Sequence, residues 1–349
     1  MSSDNNMIRL ALDAMGGDNA PACVVRGADI ACGVNPNLEI VFYGDEARIS
    51  PLIAKASHLG RATIVHTVDA VSPDDTASQA VRRGKATSMW MAIASVADGE
   101  TDAVVSAGNT GALMAMSKLQ LRPMTGVTRP AIAAFFPTVG ELVCMLDLGA
   151  NIECDAENLV QFAILGQAFH RSLTGKESPR LGLLNVGEEE QKGHDYLRVA
   201  SRRLADPELD VNYQGFVEGS DITNGQLDVV VTDGFSGNVA LKMAEGISSM
   251  FTRLLRRSLN KSFLSRLGYL LARSALSEMR THIDPRHYNG AVFLGLNGIA
   301  VKSHGGTDRI GFANAINVAL ELVDHGFLPD VSAAIARANT ILERKDDDG

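Results

Sequence analysis

The chain has 349 residues, 46% hydrophobic and 21% charged, which is enough apolar mass for a large buried core with no compositionally disordered segment. A formal charge of −9 argues against general nucleic-acid binding, because a phosphate backbone is gripped by clustered Lys and Arg. The start, MSSDNNMIRL, lacks the basic then apolar run of a secretory signal, and no apolar run approaches the ~18 residues that span a bilayer, so a cytoplasmic protein is expected.

Short apolar, β-branched runs read as buried strands over 8–12, 38–43, 103–105, 142–146, 181–184, 229–231 and 292–294. Helical patterns over 23–33, 111–121, 157–172 and 196–205 alternate with them. That alternation predicts βαβ units and an α/β fold of three layers, αβα, around a mainly parallel sheet. Without a Pro- or Ser-rich linker, residues 1–345 are expected to form one domain, or two intimately fused lobes, with a frayed tail over 346–349. The four cysteines, Cys23, Cys32, Cys144 and Cys154, form no CxxC pair and sit in or beside apolar stretches, as reduced structural thiols do.

The segments after the strands are more telling. DAMGGD (13–18), YGD (43–45), SAGNTG (106–111), DLGAN (147–151), NVGEEE (185–190), TDGFSGN (232–238) and KSHGGTD (302–308) are turns in which glycine lets backbone N–H groups approach an anion. In an open parallel sheet such turns gather at the carboxyl ends of the strands, where ligands bind. The dinucleotide fingerprint, the P-loop and the hydrolase nucleophile elbow are absent. Neither the eight histidines nor Glu188–Glu190 show metal spacing, the acidic run being explained as well by a helix start. No metal and no cofactor are expected.

The motifs LDAMGGDNAP, SAGNTGAL, LDLGAN, LLNVGEEEQKG, VEGSDI, TDGFSGNVALK and GLNGIAVKSHGGTD resemble, in order and over about residues 8–320, those of the PlsX family of bacterial acyl-ACP:phosphate acyltransferases. The resemblance implies a fold like that of phosphotransacetylases and isopropylmalate dehydrogenases, and a homodimer. It also implies transfer of a fatty acyl group from acyl carrier protein to inorganic phosphate, the acyl phosphate feeding phospholipid synthesis. A downstream glycerol-3-phosphate acyltransferase then joins the expected partners.

Phosphate is already anionic, so such a reaction needs positioning and oxyanion stabilisation rather than a Ser or Cys nucleophile. The candidate phosphate contacts are the backbone at Gly16, Gly17, Gly108, Asn109 and Gly111, with Lys192 supplying charge as the family's Gly-Glu-Glu-Glu motif suggests. Asn238 is the candidate oxyanion donor, matching the Asn of the family motif. His304 and Lys302 are candidates to protonate the departing thiolate or contact phosphate. Asp13, Asp18 and Asp233 are read as turn organisers, Asp233 and Gly237 lining the pocket. Against these stand blander roles: Lys192 as a solvated helix lysine, Asn238 as the cap of a helix beginning near Val239, and His304 as structural. His194 departs from the family pattern.

Between 247 and 277 the chain carries six basic residues, Arg253, Arg256, Arg257, Lys261, Arg266 and Arg273, and no acidic one. The segment is thus +6 in a chain of −9, leaving −15 elsewhere. Ile247, Met250, Phe251, Leu254, Leu255, Leu259, Phe263, Leu264, Leu267, Leu270 and Leu271 follow helical spacing, with Gly268 as a bend. Arg253, Leu254, Arg256, Arg257, Lys261, Phe263 and Leu267 are therefore the expected contacts for an anionic membrane surface, for acidic carrier protein, or for a dimer partner. The family's link to the membrane favours lipid and a peripheral location. Two other functions compete: a soluble phosphotransacetylase acting on short acyl-CoA, and a non-catalytic scaffold for carrier protein.

Overall fold

The computed structural model describes residues 7–347 apart from 263–264, 266–267, 275, 277–278 and 280–283. In chain order the elements begin with β1 (Ile8–Asp13), α1 (Ala22–Val34), β2 (Leu38–Gly44), α2 (Glu46–Ile53), β3 (Thr63–His66), α3 (Ala77–Arg83), α4 (Ser88–Ala97), β4 (Ala103–Ser106) and α5 (Thr110–Gln120). Next come β5 (Ala131–Phe136), β6 (Val143–Leu146), α6 (Ala156–Thr174), β7 (Leu181–Leu184), α7 (Asp195–Leu204), β8 (Tyr213–Val217) and β9 (Val229–Val231). The last are α8 (Gly234–Leu259), β10 (Ala291–Leu294), β11 (Ile299–Lys302), α9 (Arg309–Asp324) and α10 (Phe327–Asp347). The last helix thus continues through Asp347, while residues 348–349 of the expected tail lie outside the described residues.

The described strands form one eleven-stranded sheet in the order β3-β2-β1-β4-β11-β10-β5-β6-β9-β7-β8. Seven of its neighbouring pairs are parallel, as expected of a three-layer α/β fold. Alternation along each strand divides the core between the two faces. Leu10, Leu12, Val105, Leu146 and Val231 join Phe162, Phe169 and Phe312 on one face. Ala11, Val104, Met145, Val230 and Phe293 join Met89, Leu113 and Met116 on the other. Each fully buried Leu or Phe of this kind contributes roughly 1.5–3 kcal/mol.

The three antiparallel pairs, β11–β10, β10–β5 and β5–β6, lie together in the middle. Counting reversals across them, β3, β2, β1, β4 and β11 run one way, and β6, β9, β7 and β8 the other. The turns therefore do not gather at one edge of the sheet, as a uniformly parallel sheet would require. They divide into two groups at opposite edges, one following β1, β2, β4 and β11, the other following β6, β9, β7 and β8. α8 leaves the carboxyl end of β9 and so begins in the second group.

Candidate active site

The first group is organised by strand register. Parallel pairing sets Asp13 opposite Ser106 and Ser106 opposite Lys302, so three polar residues form one row across β1, β4 and β11. Asp13 is buried and accepts from the Ser88 and Ser106 hydroxyls, each at 2.6 Å, and from the Met15 N–H. Burial pushes its carboxyl above the ordinary value, and these donors oppose the rise. The DAMGGD, SAGNTG and KSHGGTD turns then meet at backbone distance. A methyl group on Gly16 would stand 2.8 Å from the Gly108 nitrogen, and one on Gly17, at φ +97°, 2.9 Å from Ala107 Cβ and 3.0 Å from the Gly305 carbonyl. Only glycine fits there.

Lys302 is half-buried at this junction, its ammonium donating to the Ser303 carbonyl. Desolvation pulls its pKa down to about 8; Asp13 and Asp18 oppose that, and the positive charge of Lys242 on α8 adds to it. His304 is exposed; its backbone N–H donates to Asn289 Oδ1, and its Nδ1 accepts the Gly306 N–H at 3.2 Å. A neutral His304 ring therefore carries its proton on Nε2. Asn109 is the N-cap of α5, accepting from the Ala112 N–H, while its amide donates to the carbonyls of Pro73 and Asp75. Gly108 N–H is held by Ser106 Oγ at 3.0 Å, and Gly111 lies exposed in the first turn of α5. The N–H groups of that turn point out of the helix end without intrahelical acceptors.

The second group is built on Asp147. This buried carboxylate accepts from the backbone N–H groups of Ile132, Gly149, Ala150 and Asn151 and from the Asn151 side chain. Burial pushes its carboxyl up as it does that of Asp13. The first turn of α8 seats directly on this turn: Gly234 N–H donates to the Asn151 carbonyl at 2.7 Å. A methyl group on Gly234 would approach that carbonyl, and one on Gly237 would overlap the Asp147 carbonyl. The glycines of TDGFSGN thus serve helix docking.

Three expectations are corrected here. The helix begins at Gly234, not near Val239, and its N-cap is Asp233, whose carboxylate accepts from the Ser236 N–H and hydroxyl. Asn238 therefore lies inside the helix and caps nothing. It is exposed, its amide lies against Gly149, and its side chain makes no hydrogen bond among the described residues. Lys192 likewise is not a helix lysine, and Glu188–Glu190 do not start a helix: α7 begins at Asp195, and the acidic run and Lys192 lie in the preceding loop. Lys192 Nζ pairs with Glu189 at 2.7 Å, which raises the lysine's pKa and lowers that of the glutamate. Asn185 braces the loop by donating to the Lys192 carbonyl. His194 is the residue before α7, its ring stacked on Tyr196.

The adjacency of β6, β9 and β7 brings the Asp147, Asp233 and Lys192 turns side by side. Lys242 follows Asn238 by four residues, one turn and about 6 Å along the same helical face, and its charge reaches Lys302.

A model of the fatty acid synthesis protein family matches residues 8–329. The chain belongs to that family. The family match spans nearly the whole stretch over which the PlsX motifs run, and relatives named phosphate acyltransferase, about half identical over almost the full length, make this an acyltransferase. The phosphate acyltransferase of Rhodospirillum centenum is 55% identical over 335 residues, covering 96% of this chain and 94% of that one. The phosphate acyltransferase of Rhodospirillum rubrum is 51% identical over 338 residues, covering 97% of each. Among solved structures, a phosphotransacetylase from Streptococcus pyogenes superposes with a TM-score of 0.61 at 17% identity, covering 92% of this chain and 95% of that one. EutD phosphotransacetylase from Staphylococcus aureus gives 0.58 at 16%, covering 92% and 96%. At that identity the likeness is one of fold.

Sequence reasoning about this family member missed Ser88, Ser106, Asp147 and Lys242 as parts of the site. Asp147 was legible as the second Leu-Asp pair opening a glycine turn, echoing Asp13. Lys242 was legible as the residue four beyond Asn238. Ser88 and Ser106 carry no local signal, since only sheet register brings them to Asp13. The basic segment is partly described: α8 ends at Leu259, and Arg253, Leu254, Arg256, Arg257 and Lys261 are exposed. Phe263, Leu264, Arg266 and Leu267 lie outside the described residues. Phe235, Val239, Met243, Ile247, Met250 and Leu254 form an exposed apolar stripe along α8. No described helix is long and apolar enough to cross a membrane.

Proposed function

We propose that the chain transfers a long-chain fatty acyl group from acyl-ACP to inorganic phosphate. The observation that carries this reading is Lys302, a half-buried ammonium at the meeting of three turns packed so closely that neither Gly16 nor Gly17 admits a side chain. That is the chemistry of a small dehydrated anion site, completed by the N-terminus of α5. Phosphate bound there attacks the thioester carbonyl: a P–O–C bond forms, the carbonyl pair moves to oxygen, and the collapsing intermediate breaks the C–S bond. The exposed Asn238 amide donates to the oxyanion, and Lys192 adds positive charge once it exchanges Glu189 for substrate. The Nε2 proton of His304 goes to the departing thiolate, giving free carrier-protein thiol and acyl phosphate.

The exposed apolar stripe of α8 and its exposed arginines support action at an anionic membrane surface, where acyl phosphate would be handed to a glycerol-3-phosphate acyltransferase. A homodimer built on the same stripe is the competing use. The phosphotransacetylase fold favours a second reading, acyl transfer between short acyl-CoA and phosphate.

The test is to incubate palmitoyl-ACP or acetyl-CoA with phosphate and the protein, following free thiol and acyl phosphate, and to repeat it with Lys192→Ala and Asn238→Ala. The expected result is phosphate-dependent turnover of palmitoyl-ACP that falls about 10²-fold or more in Asn238→Ala. Preference for acetyl-CoA would move the assignment to the second reading. Undiminished turnover in both variants would overturn the site.

A further inference from the structure

The KSHGGTD turn is held by a side chain that the acyl-transfer chemistry does not use. Asn289 stands just before β10, and its amide reaches the start of the turn and the residues just past its end. Its Nδ2 donates to Ser303 Oγ and to the Gly311 carbonyl, each at 2.7 Å, and its Oδ1 accepts the His304 N–H at 2.8 Å. These partners leave the amide one orientation. A flipped group would set its oxygen against the Gly311 carbonyl and its N–H against that of His304.

Asn289 is itself anchored. Its carbonyl accepts from the Asn314 amide of α9 at 2.9 Å, and three residues earlier Arg286 pairs with both Asp284 and Asp308. Asp308 is in turn the N-cap of α9. From the other side of the turn, Ser303 N–H donates to the Ser106 carbonyl and Asp18 N–H to the Gly305 carbonyl, both at 2.9 Å. Ser303 is fully buried, so the exposed His304 projects from a backbone held on both sides. The Gly306 N–H on Nδ1 then fixes the ring.

Resting on the reading of His304 as proton donor to the departing thiolate, we propose that Asn289 is a positioning residue for acyl transfer, which aims the His304 ring by holding its backbone N–H. Without that bond the backbone at 303–304 shifts, and a misplacement of about 1 Å costs on the order of 10²-fold in rate. The loss belongs to kcat, since what is disturbed is a proton transfer in the transition state.

The experiment measures kcat and KM for palmitoyl-ACP at saturating phosphate in the full chain, in Asn289→Ala, Asn289→Asp and His304→Gln, and in the double variant of Asn289→Ala with His304→Gln, with a melting curve for each. Expected is a kcat lower by about 10²-fold in Asn289→Ala and in His304→Gln, with KM for palmitoyl-ACP unchanged. The double variant should be no slower than His304→Gln, because both changes remove the same proton transfer. Asn289→Asp keeps an acceptor for the His304 N–H but sets a carboxylate against the Gly311 carbonyl, so it should melt lower than wild type while recovering most of the kcat lost in Asn289→Ala. A purely structural role predicts instead that Asn289→Asp is as slow as Asn289→Ala and that the losses in the double variant multiply, to about 10⁴-fold. Either outcome, or wild-type kcat in Asn289→Ala, overturns the proposal. Should Asn289→Ala fail to fold, the kcat of Asn289→Asp decides alone: near wild type supports the proposal, and as low as that of His304→Gln overturns it. Wild-type kcat in His304→Gln would instead remove the reading on which the proposal rests, and the proposal with it.

Discussion

Gly237 lies so close beneath the carbonyl of Asp147 that a single methyl group at its Cα would overlap the oxygen. The neighbour is backbone, itself pinned by the Asp147 N–H donating to the Thr232 carbonyl at 3.0 Å, so it has no room to yield. α8, and with it Asn238 and Lys242, is positioned by this contact.

Gly237→Ala is therefore expected to cost about 3 kcal/mol, at the upper end for overpacking, and to lower turnover by displacing Asn238. Gly246, in the same helix with nothing within 4 Å of an added methyl group, should respond oppositely. Gly246→Ala gains up to about 1 kcal/mol from helix propensity. Denaturant melts of the two variants check the pair, and equal responses would contradict the docking.

Lys302 gives stability a pH dependence whose sign follows from its lowered pKa. Folded, it titrates near about 8; unfolded, near 10.4. Between those values the unfolded chain binds more protons, so its contribution to stability rises with pH across that window. Below about pH 8 the penalty for burying the charge is fully present. The span is worth at most about 3 kcal/mol. Melting curves of wild type and Lys302→Met should differ in slope between pH 8 and 10.4 and run parallel below. Phosphate affinity in the wild type should fall over the start of the same window, as the ammonium loses its proton.

On the proposed reading, Glu189, which pairs with Lys192 at 2.7 Å, competes with substrate for it. Glu189→Gln removes a solvent-exposed, screened pair, so the melting temperature should hold while KM for phosphate or acyl-ACP falls. Steady-state kinetics decide this, and a raised KM for both would show that the pair orders the loop instead.

Vesicle co-sedimentation tests the α8 stripe. Wild type should pellet with anionic but not neutral vesicles at low salt, and Leu254→Asp should abolish this. Equal binding to both vesicle types would remove the electrostatic part. Loss of a dimer in Leu254→Asp, with vesicle binding intact, would assign the stripe to a second copy.

The α/β class, the mainly parallel sheet and most strands were legible because buried strands announce themselves as short apolar runs. The strand over 299–302 was missed although its motif was noticed, because IAVK differs little from the apolar run that opens a helix. The turn motifs were visible as glycine clusters, yet the function of their glycines was not. In TDGFSGN they look like an anion loop, whereas in the structure they make space for a helix on the Asp147 turn. The start of that helix was misjudged by five residues, since Asp233 and Asn238 are both good capping residues and only the Asp233–Ser236 hydrogen bond distinguishes them.

The sequence alone determined the fold class, the family resemblance and the candidate residue types, since these depend on local periodicity, turn chemistry and motif order. Only the tertiary structure decided which candidates belong together. Three antiparallel pairs at the centre of the sheet send the two sets of turns to opposite edges. Strand direction and register are properties of pairing between distant segments, so no single run of residues contains them. The row of Asp13, Ser106 and Lys302 exists only once those pairings have formed.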